Sequence, residues 1–156
     1  MEHDALIIET NPDPRDVRML DDRLYEYNVA RTGCSDGRLL AIFLREEDGH
    51  VRGGLYGWTW SGWLEVRSLW VHDRWRGMGL GSSLLAAAEA EGRARGCHTA
   101  ILDTHSFQAP TFYERWGYQE YAVLEGYPTG HRKHFMRKDL GRPDAVPGAT
   151  SDKVSG

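Results

Sequence analysis

Arg76-Gly77-Met78-Gly79-Leu80-Gly81 sets three glycines alternately over five residues, after an apolar run ending at Val71 and before an Ala- and Leu-rich stretch from Ser82. Alternating glycines let the backbone turn tightly and keep its N–H groups open to approach. A helix beginning near Ser82 adds the positive end of its dipole. Together these suit a phosphate or pyrophosphate, with Arg76 as counter-charge. Two better-known phosphate loops fail on spacing: Ser82 stands where GxGxxG needs its third glycine, and no Gly-Lys-Ser or Gly-Lys-Thr occurs. A plain glycine-rich connector is the competing reading, since glycine clusters are first of all turn formers.

Four other side chains could move protons. Tyr113 sits on a short helical stretch, Glu65 on a strand-like run six residues before Val71, and His72 and His105 follow strand ends. Imidazole titrates near neutral pH, and a positioned carboxylate or phenol can act as base or acid. Each has a plainer reading: a packing tyrosine, a carboxylate solvated or paired with Arg67, histidines at the surface or satisfied in the core. Trp58, Trp60 and Trp63 flank a hairpin; they could wall a pocket for an amine, but core or dimer-interface aromatics are commoner.

The elements that must hold these residues follow from pattern. Ala5 to Glu9 reads as a first strand, and Asp13 caps a helix starting at Pro14, with Val17, Leu20, Leu24 and Tyr27 at helical spacing and Gly33 as its stop. Leu39 to Arg45 is strand-like, Val51 to Trp60 alternates, Ser61-Gly62 turns, and Trp63 to Val71 returns. Ser82 to Arg95 reads as a helix before Gly96, Thr99 to Thr104 as a strand, and Pro110 to Trp116 as a short helix stopped by Gly117. Tyr118 to Leu124 and residues 131–138 are the last strands. Hairpins mixed with helical crossovers predict an α/β (α+β) fold with a mixed central sheet of roughly six to seven strands flanked by helices. One domain over residues 1–140 is expected, with a disordered Gly-, Pro-, Ser- and Ala-rich tail over 141–156.

Composition narrows the classes. The 156 residues suit one domain, and 40% hydrophobic with 27% charged residues is ordinary for a soluble protein. A formal charge of −4 lacks the basic excess of a nucleic-acid binder. Cys34 and Cys97 are too few for a disulfide framework and form no CxxC pair, so no metal site is expected and a reduced, cytoplasmic setting is the simplest expectation. The N-terminus lacks the basic and long apolar regions of a signal peptide, and no stretch approaches a membrane span.

The loop, in its strand-to-helix setting, resembles the coenzyme A pyrophosphate loop of the GNAT superfamily of N-acetyltransferases. Leu69-Trp70-Val71-His72 before it and Leu84-Leu85 with Glu89 after it are similar too. The run Ala109-Pro110-Thr111-Phe112-Tyr113-Glu114-Arg115-Trp116-Gly117-Tyr118 resembles the superfamily's second signature. The likeness extends from about Leu6 to Leu140.

What the resemblance implies is specific. Acetyl-CoA would be the co-substrate. The main chain of Leu69 and Val71 would meet the pantetheine and the acetyl carbonyl. The N–H groups of Arg76, Gly77, Met78, Gly79, Leu80, Gly81 and Ser82 would take the pyrophosphate. Tyr113 would protonate the leaving thiolate, and Glu65 resembles the base glutamate of several members, with a histidine or water as alternatives. Ser106 stands where many members have an asparagine that meets the pantetheine, and its shorter hydroxyl could still do so. The implied function is acetylation of a primary amine on a small molecule by direct attack in a ternary complex, with a homodimer also allowed. A protein or peptide N-acetyltransferase and a non-catalytic acyl-CoA sensor are the alternatives; Tyr113 beside a complete loop argues against the sensor.

Overall fold

The computed structural model describes residues 5–141, so the tail expected over 141–156 lies, after Gly141, outside the described residues. Two compact units divide the chain, one up to Ser35 and one from Asp36. In the first, α1 runs over Pro14–Thr32. Asp13 caps it, accepting from the Arg15 N–H at 2.8 Å, and Gly33 ends it at φ 74°, where its N–H reaches the Val29 carbonyl. Both ends match the pattern of Asp-Pro before and Gly after. Ala5 to Glu9, expected as a strand, carries none. A short apolar run becomes a strand only by pairing, which its own pattern cannot supply.

The second unit is built on a six-stranded mixed sheet in the order β1-β2-β3-β4-β6-β5. Its strands are β1 (Arg38–Arg45), β2 (Val51–Trp60), β3 (Trp63–Val71), β4 (Thr99–His105), β5 (Gln119–Glu125) and β6 (Arg132–Asp139). Only β3 and β4 run parallel; they are joined through a 3-10 turn at Asp73–Trp75 and α2 (Leu80–Ala94). Between β4 and β5 comes α3 (Pro110–Arg115). The β2–β3 hairpin turns on Ser61 and Gly62, both at positive φ (49° and 82°), the backbone twist that two-residue hairpin turns favour.

Leu84, Leu85, Ala88, Glu89 and Gly92 form the buried stripe of α2, at the i, i+1, i+4, i+5, i+8 spacing of one helical face. That face packs on β1–β3 over a core containing Leu40, Leu55, Leu64 and Val66. Gly92 permits the close approach: a Cβ there would lie 3.2 Å from Leu64 Cδ2. Glu89 is the one carboxylate among the buried residues described; Lys138 Nζ holds it at 2.8 Å and Arg93 at 3.7 Å. A buried charge without such partners would destabilise the fold.

Candidate active site

The site begins where the sheet comes apart. β3 and β4 pair from Trp63↔Thr99 to Val66↔Leu102 and then stop, although β3 continues to Val71 and β4 to His105. At the same point β3 bulges: the register with β2 shifts from Gly57↔Val66 to Tyr56↔Ser68, leaving Arg67 as the extra residue. An inserted residue displaces the strand's alternation by one. The His72 N–H donates to the Arg52 carbonyl at 2.8 Å, so the neighbouring pairs Gly53↔Val71 and Leu55↔Leu69 are the non-hydrogen-bonded kind. The main-chain groups of Leu69 and Val71 therefore face away from β2, into the gap beside β4.

Gly57 makes the bulge possible. A Cβ on it would lie 2.1 Å from the Glu65 carbonyl oxygen, backbone that cannot swing aside. Sequence reasoning missed Gly57, and an isolated glycine inside an alternating strand was the available signal.

The glycine loop closes one end of the gap. Gly77 and Gly79 both take the left-handed conformation (φ 75° and 78°), which is costly for any residue with a Cβ. Gly79 is also the N-cap of α2 and, lacking a side chain, caps nothing. The helix thus starts at Leu80, earlier than the expected Ser82, because Leu80 and Gly81 already follow the capping glycine. Among the described residues no main-chain or side-chain acceptor takes the N–H groups of 77–82, the orphan donors of a helix start. Arg76 differs from that expectation. Its N–H closes the 3-10 turn onto the Asp73 carbonyl at 3.2 Å, and its guanidinium binds the Val71 carbonyl (Nε, 3.0 Å) and the Asp73 carboxylate (2.9 Å). Arg76 ties the loop to the end of β3.

Between the separated strands and the loop lies a cleft of about 900 Å³. Leu69, Val71, Arg76, Gly77, Gly79 and Leu80 line it from one side. Gly81, Ser82, Gln108 and Tyr113 line it too, with His105 and Arg67. Met78 is 64% exposed and lies outside the lining. Tyr113 is 7% exposed and packs edge-on against Phe112 and Tyr118, with ring centroids 5.1 and 5.9 Å away. Burial first, and the Asp103 carboxylate second, raise its phenol above the ordinary tyrosine range, so it is a proton donor at neutral pH.

The other expected residues divide. His105 lines the cleft, stacked on Phe107 at 5.2 Å. Glu65 does not line it; its carboxylate pairs with Arg67 Nε at 3.4 Å, and it is Arg67 that reaches the cleft. His72 is turned to its own loop, where Nδ1 accepts from the Arg74 N–H at 3.2 Å. Ser106 also stands outside the lining: its Oγ accepts from the Arg132 N–H at 3.1 Å and lies 3.4 Å from His131 Nδ1. Among the described residues no three His, Cys, Asp or Glu side chains group to hold a metal ion, and no helix is long and apolar enough to cross a membrane.

A parallel pair opened by a bulge thus lies beside an uncapped glycine-led helix start and a buried tyrosine. Residues 4–118 match the Acetyltransferase (GNAT) family, and the chain belongs to that family. It is 41% identical over 121 residues to the acetyltransferase Atu2258 of Agrobacterium fabrum, covering 78% of this chain and 88% of that one. It is likewise 41% identical over 116 residues to the blasticidin-S acetyltransferase of Streptomyces morookaense, covering 72% and 85%. The crystal structure of an acetyltransferase from Bacillus cereus superimposes with a TM-score of 0.70 at 32% identity, over 86% of this chain and 97% of that one.

Proposed function

We propose that this acetyltransferase moves an acetyl group from acetyl-CoA to a primary amine of a small molecule, by direct attack in a ternary complex without a metal. The observation that carries the reading is the cleft itself: the outward main chain of Leu69 and Val71 runs into the unpartnered N–H groups of 77–82. An extended amide-bearing arm ending in a pyrophosphate matches that sequence of donors and acceptors. The likeness to a blasticidin-S acetyltransferase supports a small-molecule acceptor over a peptide. The proposed domain spans residues 1–140.

Acetyl-CoA supplies the activated acyl carbon. The main chain of β3 aligns it beside Tyr113, whose hydroxyl holds the proton that the departing sulfur takes up as the C–S bond breaks. The attacking amine loses its proton to Glu65, relayed by water because that carboxylate stands behind Arg67. One observation favours a second reading for the base: His105 lines the cleft and Glu65 does not.

The test is release of free coenzyme A thiol from acetyl-CoA with a panel of small amines and peptides. Acetylation of small amines with peptide N-termini left untouched is expected. Release with no amine contradicts the reading, and release with peptides alone contradicts its acceptor class.

A further inference from the structure

The turn between β4 and α3 fixes one carboxamide. Gln108 Oε1 lies 2.8 Å from the His105 main-chain nitrogen, and an N–H can meet only an acceptor, so the oxygen of the amide must be the atom placed there. Thr104 Oγ1 reinforces the assignment at 3.3 Å. That hydroxyl accepts from the Ala109 N–H at 3.5 Å, which leaves its own hydrogen to donate to Oε1. His105 Nδ1 also lies 3.3 Å from this oxygen. With the oxygen held on that side by the His105 N–H and the Thr104 hydroxyl, the –NH₂ end of Gln108 is turned away from them. No described residue accepts from it, and Gln108 lines the cleft together with Thr104 and Tyr113.

We infer that Gln108 is a coenzyme-positioning residue: its Nε2 donates to a carbonyl oxygen of the pantetheine arm as that arm lies against β3. The inference rests on the proposed binding of acetyl-CoA in the cleft. Nε2 only donates, so its ligand must accept, and a neutral donor suits an amide or thioester carbonyl. Phosphate oxygens already have the N–H groups of 77–82. Ser106, the residue expected to meet the pantetheine, is spent on the Arg132 N–H that joins this turn to β6. The donor on this side of the cleft is therefore two residues further along, on a longer side chain.

Gln108→Glu tests the inference cleanly. A carboxylate keeps an acceptor for the His105 N–H and the Thr104 hydroxyl, so the turn stays braced, but it replaces the donor with an acceptor. Gln108→Met, of similar length and uncharged, is the second variant should the carboxylate disturb folding. Calorimetry with acetyl-CoA and with adenosine 3′,5′-bisphosphate, which lacks the pantetheine, gives the readout. Acetyl-CoA affinity should fall roughly 3- to 10-fold in Gln108→Met, the worth of one neutral hydrogen bond, and further in Gln108→Glu. Bisphosphate affinity should hold in both variants. Equal weakening of the two ligands would mean a disturbed turn or a through-space charge effect and would overturn the inference, as would unchanged acetyl-CoA affinity. A wild-type protein that binds no acetyl-CoA would instead overturn the proposed function, and the inference with it.

Discussion

Trp116 Nε1 donates to Ser82 Oγ at 3.2 Å, joining the end of the helix that carries Tyr113 to the first turn of α2. Because Ser82 Oγ accepts there, its own hydrogen is left to donate toward the cleft that Ser82 lines. Lys138 steadies the indole from β6, its ammonium 6.0 Å from the ring centroid while paired with Glu89. The glycine loop and the proposed acid are thus braced against each other through one indole.

Trp116→Phe keeps an aromatic ring but removes the N–H together with the five-membered half of the indole. With one hydrogen bond worth about 0.5–1.5 kcal/mol, acetyl-CoA affinity should drop roughly 2- to 10-fold. Calorimetry checks this; unchanged affinity would mean that the orientation of Ser82 does not matter to the ligand.

Gly79→Val should weaken acetyl-CoA binding through the backbone and not through crowding. Nothing lies within 4 Å of a Cβ at Gly79, but its φ of 78° costs a branched residue about 1–2 kcal/mol or more, so the loop would leave its shape. A loss of roughly tenfold is expected by calorimetry. Full affinity would remove the loop from the binding site.

Gly57→Ala should destabilise the protein by about 1–3 kcal/mol, the usual cost of overpacking, because its Cβ would collide with the Glu65 carbonyl. Denaturant unfolding measures it. A neutral substitution would show that the bulge at Arg67 forms without glycine.

Much of this was legible in order of range. The hairpin strands Val51–Trp60 and Trp63–Val71 emerge from local alternation and a two-residue turn, and the structure places them at those bounds. The glycine loop was visible because positive φ leaves its mark on the residue type. The bulge was not: a period-two reading of β3 carries no sign of where the phase changes, which depends on the Gly57 backbone across the hairpin. Ser106 and Gln108 were illegible for a similar reason. Which of them faces the cleft is decided by Arg132, 26 residues beyond Ser106, when β6 docks beside β4. Glu65 could be placed on its strand, but its ion pair with Arg67 follows from the bulge.

Substitution separates the two bases. If Glu65 acts, Glu65→Gln should lower kcat/KM by roughly 10²-fold or more, while His105→Asn leaves it near wild type. A Glu65→Gln variant with wild-type kcat/KM would give the role to His105, another residue or water. On the alkaline side, loss of the Tyr113 proton slows the reaction only as pH climbs past its raised pKa.

Tyr113→Phe tests the account most directly. It preserves the buried ring and removes only the hydroxyl, so acetyl-CoA affinity should stay near wild type, set by the strand and loop main chain. With saturating amine, kcat should fall by roughly 10²–10⁴-fold, about 3–5 kcal/mol of transition-state stabilisation. A variant that keeps most of its kcat would contradict the assignment and leave Tyr113 as a packing residue of the core.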